Sequence, residues 1–319
     1  MKILIADKFE DAGQAALKER GYEFVFEPDL KDETLVAALK KHDPDALIVR
    51  STKVPADMIA QVGKLSLIIR AGAGYDTIDT KAAREKNIAV ANCPGMNSTA
   101  VAELAMALML SVDRRIPDQV GELRQGVWNK KQWSKVGIGL KGKTLGLIGV
   151  GQIGKLVARR ALAFEMKVLY TDLVPCEELD NDDRAQRVER EELLKSADVV
   201  SLHVPAMEAT KHLINADALA MMKPDAMLIN TTRGSVVDQA ALTTALKNGQ
   251  IRFAALDVYE GEPAATDKEI KNDLLDLPNF YGTHHVGAST EQAQLAVAEE
   301  VVRILDEYNA SKNVLNCVN

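Results

Sequence analysis

The sequence predicts an α/β protein made of two doubly wound parallel-sheet domains. Three observations lead there. Short β-branched runs alternate with helix-patterned stretches along the chain, and strand–helix–strand at that rhythm gives parallel sheets covered on both faces. The runs fall into two sets, and 319 residues at roughly 150 per domain make two domains. The second set opens on a strand, a glycine-rich turn and an amphipathic helix. A single eight-repeat barrel is the structural alternative.

In the first set the expected strands are Lys2–Ala6, Tyr22–Phe26, Ala46–Val49, Leu67–Ile69 and Ile88–Ala91. Helical patterns lie between them at Glu10–Arg20, Leu35–Lys41 and Lys81–Lys86. Gly21 stands where a left-handed cap ends the first helix. Asn97–Arg114 reads as one long helix, with Ser98 or Thr99 near its start, and is expected to cross between domains. The second set is Thr144–Ile148, Lys167–Thr171, Asp198–Leu202, Ala226–Ile229, Phe253–Leu256 and Phe280–Gly282. Glu177–Glu192, acidic and without aromatics, is expected to be a solvated loop and helix face. A final helix, Glu291–Tyr308, is expected to return to the first domain. The boundaries are then 1–96 plus 288–319 for a discontinuous first domain and 97–287 for the second.

Composition narrows the function. With 39 Lys+Arg against 46 Asp+Glu the net charge is −7, which disfavours a nucleic-acid binder. Cys93, Cys176 and Cys317 have neither zinc-ligand spacing nor a disulfide framework, so no metal is expected and free thiols in the cytoplasm are. The longest apolar stretch, Ala100–Val112, is interrupted by Glu103 and is too short to span a bilayer. The N-terminal apolar run meets Asp7 too early for a signal peptide. No membrane partner is expected.

Gly149, Gly151 and Gly154 follow the apolar run Leu145–Ile148. The first permits a tight turn, the second lets backbone approach a pyrophosphate, and the third lets helix pack on strand; the helix N-terminus then faces the phosphates. Asp172, eighteen residues after Gly154, ends the next strand. A carboxylate there takes both ribose hydroxyls and repels a 2′-phosphate, so the expected cofactor is NAD.

Ligands of open parallel sheets sit beyond the carboxyl ends of the strands. The residues there are Gly149, Asp172, His203, Arg233, Asp257 and His285, and a turn just past Asp257 adds Glu262. This is a kit for redox chemistry on a hydroxy acid. An arginine fixes the carboxylate, an imidazole takes the hydroxyl proton, and a carboxylate orients and charges that ring. His203 is read as ending a strand rather than as catalytic, and His284 and His285 compete on pattern alone. His42 and His212 are read as solvated. In the first domain Arg50 and Arg70 also end strands, and Arg70 opens a glycine-rich loop whose N–H groups can cradle a carboxylate. Either arginine can instead be an internal salt-bridge partner. Lys130 and Lys131 beside Trp128 and Trp133 form a local basic patch.

Over nearly its full length the sequence resembles the D-2-hydroxyacid dehydrogenase family. The resemblance is carried by Arg70-Ala-Gly-Ala-Gly-Tyr-Asp-Thr-Ile-Asp79, Gly149–Gly154, His203-Val-Pro205, Asn230-Thr-Thr-Arg-Gly234, Ala255-Leu-Asp-Val258, Glu262-Pro263 and His285-Val-Gly-Ala-Ser-Thr290. It implies a flavodoxin-like substrate domain and a Rossmann NAD-binding domain, with the site in a cleft that closes to exclude water. It implies Arg233, Glu262 and His285 as the catalytic set and chooses His285 over His284. It implies cofactor contacts at Gly149, Gly151, Gln152, Ile153, Gly154, Asp172, His203, Val204, Pro205, Thr231, Asp257 and Ala288, with Asp257 on the nicotinamide carboxamide. Substrate contacts are implied at Arg50, Arg70, Ala71, Gly72, Ala73, Gly74, Arg233 and His285.

Val49-Arg-Ser51, Gly95-Met-Asn-Ser98 and Trp128-Asn-Lys-Lys131 make the resemblance strongest to members that oxidise D-3-phosphoglycerate. Arg50 and Arg70 are then phosphate partners. Ending at Asn319, the chain is expected to lack a serine-sensing regulatory domain. Glyoxylate or hydroxypyruvate reduction is the alternative activity, and an NAD-sensing corepressor-like module the alternative class. A homodimer through the long helix from Asn97 and the segment after it is expected. Two departures from the family pattern are Glu165, where glycine usually caps the dinucleotide helix, and Ser235 in place of a second glycine.

Overall fold

The computed structural model describes residues 1–263 and 269–319. In chain order the elements are β1 (Lys2–Ile5), α1 (Asp11–Glu19), β2 (Glu23–Phe26), α2 (Asp32–His42), β3 (Ala46–Val49), α3 (Ala56–Ile59), β4 (Leu67–Arg70), α4 (Thr80–Glu85) and β5 (Ala89–Asn92). There follow α5 (Ser98–Arg114), α6 (Ile116–Arg124), α7 (Lys130–Trp133), β6 (Thr144–Ile148), α8 (Gln152–Ala163), β7 (Lys167–Thr171), α9 (Glu177–Asp180), β8 (Ala185–Arg187) and α10 (Arg190–Ser196). The chain finishes with β9 (Val199–Leu202), α11 (Ala216–Met221), β10 (Met227–Asn230), α12 (Gln239–Lys247), β11 (Phe253–Leu256), β12 (Phe280–Gly282) and α13 (Glu291–Ser311).

The chain divides into two compact units, one of Met1–Asn97 with Ser289–Asn319 and one of Ser98–Ala288. In the first, five strands run in the order β2-β1-β3-β4-β5, all parallel. This is the flavodoxin-like order. Period-two alternation divides its core. Ile3, Ile5, Ile48, Leu67 and Ile69 join Leu17 of α1 and Val301, Ile304 and Leu305 of α13 on one face. Leu4, Leu47, Val49, Ile68 and Val90 join Leu35, Leu39 and Ile59 on the other. Each such side chain, fully buried, stabilises the fold by roughly 1.5–3 kcal/mol.

In the second unit seven parallel strands run β12-β11-β10-β9-β6-β7-β8. The order reverses between β6 and β9, the switch point where doubly wound sheets bind ligands. Leu145, Leu147, Val168, Tyr170 and Ile229 pack under α5 and α8. Ile148, Val200, Leu202, Leu228 and Leu256 pack against α10, α11 and α12 through Leu193, Leu219 and Leu242. Two open sheets replace the barrel alternative.

Three local expectations need correction. Residues 177–192 are not loop and helix alone: Ala185–Arg187 pairs with β7 as the third strand of the dinucleotide half. It went unseen because Gln186 and Arg187 are exposed on this edge strand, and it has no apolar run to mark it. The long helix starts at Ser98 and lies wholly in the second unit, where residues such as Ala105, Met109 and Val112 are buried. Glu165 does not deprive α8 of its cap. It takes the left-handed conformation itself, φ 60°. Its N–H bonds the Leu162 carbonyl (3.0 Å) and that of Met166 bonds Ala161 (3.1 Å), the two-bond glycine cap without the glycine. Gly21 takes the expected left-handed cap, φ 74°. Among the described residues no helix is long and apolar enough to cross a membrane.

Candidate active site

In the second unit the glycine turn after β6 has the shape of a dinucleotide cradle. Gly149 has φ +92°, and a Cβ there would meet the His203 carbonyl oxygen at 2.7 Å. A Cβ on Gly154 would lie 2.3 Å from the Gly149 oxygen, so α8 sits too close for any side chain. Gly151, the N-cap of α8, has open space where its Cβ would be, which leaves room for a phosphate at the helix N-terminus. Gln152 and Ile153 form the first turn of that helix. Asp172, just after β7, accepts the Val150 N–H through Oδ2 at 2.7 Å and so ties the end of β7 to the glycine turn. Arg187 of β8 donates Nη2 to the Asp172 carbonyl (2.8 Å).

His203 ends β9 and is followed by Val204 and Pro205. Its Nε2 lies 2.9 Å from Ser201 Oγ. Burial pushes the imidazole down to about 3, so the ring is neutral near pH 7. Its Nδ1 and the Thr231 Oγ1 are buried polar atoms with no hydrogen-bond partner among the described residues. Orphaned polar atoms beside a cradle closed to Cβ atoms fit a bound dinucleotide.

Arg233, Glu262 and His285 follow three strands of this unit, β10, β11 and β12. Asn230, fully buried at the end of β10, organises the turn after it. Its Oδ1 accepts the Thr232 N–H (2.9 Å) and hydroxyl (2.7 Å), and its Nδ2 donates to the Arg233 carbonyl (3.0 Å). Arg233 Nη1 donates to the Thr232 carbonyl at 2.8 Å. Beyond β12, His285 has φ +52° and its Nδ1 lies 2.7 Å from Glu262 Oε2. His284 and His285 are both exposed, and the one that neighbours Glu262 is His285. Glu262 Oε1 accepts the Tyr259 N–H at 2.9 Å. Burial pushes the Glu262 carboxyl up, but His285, that N–H and the charge of Arg233 hold it below the ordinary carboxylate value. His285 and Arg233 therefore both act on Glu262.

Asp257 holds this loop in place. It is 1% exposed. Its Oδ1 accepts the Thr283 hydroxyl (2.6 Å) and Val286 N–H (2.9 Å), and its Oδ2 the Gly287 N–H (2.8 Å), just before Ala288. Sequence reasoning gave Asp257 a cofactor contact and missed this bracing, since the donors lie 26–30 residues downstream. It also misread His212. That imidazole is not merely solvated: its Nε2 is 2.6 Å from Glu260 Oε1. Tyr259 and Thr283 had no signal beyond being polar near a strand end, and Asn230 was marked only as part of the Asn230–Gly234 stretch.

In the first unit Arg50 follows β3 and Arg70 ends β4. Asp7, beyond β1, accepts the N–H groups of Arg50 (2.6 Å), Ser51 (3.1 Å) and Thr52 (3.0 Å). Arg50 Nη1 reaches Gln294 Oε1 at 3.2 Å. The Arg70 guanidinium covers Gly72, whose Cβ would lie 1.7 Å from Nη1. The Ala71–Gly74 loop is stapled to the end of β5. The Gly72 carbonyl accepts the Cys93 N–H (2.9 Å) and that of Ala73 accepts Asn92 Nδ2 (2.6 Å). No group of three or more His, Cys, Asp or Glu among the described residues is arranged to hold a metal ion.

A family model described as "D-isomer specific 2-hydroxyacid dehydrogenase, NAD binding domain" matches residues 106–287. The chain is 43% identical to a D-3-phosphoglycerate dehydrogenase of Methanocaldococcus jannaschii, over all of this chain and 60% of that protein. It is also 43% identical to a hydroxypyruvate reductase of Thermotoga maritima, over 92% of this chain and 93% of that one. The chain thus spans about three-fifths of the first relative and nearly all of the second. Among solved structures, the TT0316 protein of Thermus thermophilus superposes with a TM-score of 0.89 at 34% identity, covering all of both chains.

Proposed function

Because the chain belongs to the family of D-isomer specific 2-hydroxyacid dehydrogenases, we propose that it oxidises D-3-phosphoglycerate to 3-phosphohydroxypyruvate, a first step toward serine, in the cytoplasm. The observation that carries the reading is the His285 Nδ1–Glu262 Oε2 contact of 2.7 Å beside Arg233. With Nδ1 held by Glu262, Nε2 takes the proton of the substrate's C2 hydroxyl as the carbonyl forms. NAD, when bound, accepts the hydride that leaves C2. Glu262 stabilises the imidazolium that results, and Arg233 holds the substrate carboxylate and developing carbonyl in a fixed fork. Arg50 and Arg70 take the phosphate, and the Ala71–Gly74 loop lies against the substrate. The glycine cradle, Gln152, Ile153, His203, Val204, Pro205, Thr231, Asp257 and Ala288 hold the dinucleotide. Asp172 excludes a 2′-phosphate.

In this reading the unit of 1–96 plus 288–319 binds substrate and 97–287 binds NAD. The active form is a homodimer. Support for it comes from Ile116, Val120, Leu123, Val127 and Trp128, which are 38–78% exposed in and after α6; α5 is buried in its own unit. Contiguous exposed apolar side chains mark association surfaces.

Hydroxypyruvate or glyoxylate reduction is the second reading, favoured by the equal identity to a reductase of matching length. The experiment compares NADH formation with NAD and D-3-phosphoglycerate against NADH consumption with hydroxypyruvate and glyoxylate. Preference for the phosphorylated acid supports the first reading. Turnover of the small keto acids alone moves the activity to the second. A corepressor-like role is disfavoured by the intact Arg233, Glu262 and His285 set. Arg233→Ala should lower kcat/KM on the order of a thousandfold while NADH still binds. Near-normal turnover would sink the assignment.

A further inference from the structure

His212 and Glu260 form a second His–Glu pair in the nucleotide-binding unit, and no step of the proposed reaction uses it. Three features tie this pair to the reaction. The first is the His212 main chain. It is left-handed, φ +48°, and its N–H donates to the Ser235 carbonyl at 2.8 Å. Two further bonds, Ile214 N–H to Val236 (3.1 Å) and Asp238 N–H to Ile214 (2.9 Å), strap residues 212–214 to the segment that leaves the Arg233 turn. The second is the side chain, whose Nε2 reaches Glu260 Oε1 at 2.6 Å, two residues before Glu262. The third is the contact between the two loops themselves. A Cβ on Gly234 would fall 2.0 Å from the Tyr259 carbonyl carbon and oxygen, so their backbones touch. The Glu260 N–H also meets Gln239 Oε1, at the start of α12 (3.3 Å).

Resting on the reading above, we propose that His212 and Glu260 are positioning residues that clamp the Arg233 turn to the Glu262 loop. The connection runs from His212 through Ser235 to Arg233, and from Glu260 through Tyr259 to Glu262 and His285. The two side chains are 38% and 34% exposed, and a pair so open to water adds little to stability. Its value lies in geometry. The carboxylate clamp and the acid–base pair must meet the same substrate carbon, and small displacements of such groups are costly.

The test uses the full chain with His212→Leu, which removes the hydrogen bond, His212→Gln, whose amide replaces Nε2–H, and Glu260→Leu. His212→Leu and Glu260→Leu should each lower kcat on the order of tenfold. They should also raise KM for the hydroxy acid, shift the acid limb of the pH–rate profile and leave KM for NAD unchanged. His212→Gln should restore most of the loss. Independently of any substrate, amide hydrogen exchange in 233–237 and 258–263 should quicken in both Leu variants and not in His212→Gln. Wild-type kcat, KM and exchange in either folded Leu variant overturn the clamp. If the unmodified chain turns over no hydroxy acid, the functional reading fails, and exchange alone still decides the clamp: unchanged rates in the Leu variants overturn it.

Discussion

The two sheets share a topology class and use the same device differently. Each sets a carboxylate beyond a strand end to accept backbone N–H groups from a neighbouring turn. In the first unit Asp7 takes three in succession, from Arg50, Ser51 and Thr52. In the second, Asp172 takes the Val150 N–H and the space beside Gly151 stays open. A row of backbone N–H groups is a ready anion site. The first unit closes its own with the Asp7 carboxylate. The second leaves a helix N-terminus for a phosphate. A doubly wound sheet thus becomes a nucleotide site by what its turns leave open.

The largest effect that would sharpen this contrast is steric. Gly154→Ala puts Cβ against backbone, 2.3 Å from the Gly149 oxygen, and should destabilise the second unit by about 3 kcal/mol and abolish NADH binding. Gly13→Ala in α1 meets mainly the Phe9 ring, at 2.6 Å, which can swing away, and should cost about 1 kcal/mol or less. Urea denaturation followed by far-UV circular dichroism, which reads both units, together with fluorescence separates the two. Both tryptophans, Trp128 and Trp133, lie in the second unit, so their fluorescence reports that unit alone.

Next in size is acid sensitivity. The unfolded chain protonates His203 near the ordinary value of 6.5, whereas the folded protein resists until about 3. Below pH 6.5 the unfolded state therefore binds the extra proton, and stability falls as pH drops toward 3. The slope is at most ~1.4 kcal/mol per pH unit, and less for a ring that is only half-buried. His203→Gln should flatten this loss between pH 6.5 and 4.5 in the tryptophan-reported transition. Equal acid sensitivity in variant and wild type would break the explanation.

Third, Asp172→Asn should move the NADP-to-NAD preference about tenfold toward NADP, worth ~1.4 kcal/mol. Asp7→Asn should leave that preference alone and raise KM for D-3-phosphoglycerate severalfold. If Asp7→Asn changed cofactor choice, or left KM for the phosphorylated acid untouched, the parallel between the two carboxylates would fail. The smallest effect concerns α8. Glu165→Gly should stabilise the second unit by about 0.5–1 kcal/mol by relieving a left-handed residue that carries a Cβ. An equal or lower melting temperature would contradict that.

Most of the fold could be read from the chain because parallel strands buried on both faces are apolar throughout, as in Ala46–Val49 and Val199–Leu202. Observed ends differ from expectation by about a residue, where polar groups such as Arg70 and Asn230 finish a strand. β8 escaped because an exposed edge strand needs no apolar pattern. In the site, Arg233, Glu262 and a histidine at 284 or 285 could be picked out near strand ends, and the family resemblance supplied the choice of His285. The bracing around them could not, since Asp257, Asn230 and His212 act through partners set by tertiary contact. His212 and Glu260 are 48 residues apart, and no local pattern joins them.

The discontinuous unit has a consequence for synthesis. Its sheet is covered by Val301, Val302, Ile304 and Leu305 of α13, and Val90 of its edge strand bonds Val318 and Asn319. A ribosome adding about 5–20 residues per second needs roughly 10–40 s to pass through the roughly 190 residues of the intervening unit. For that interval the apolar face of β1, β3 and β4 waits on the nascent chain for a helix not yet made. The nucleotide-binding unit can close first, and the earlier-made strands are the part of this protein that a ribosome-associated chaperone would have to shield.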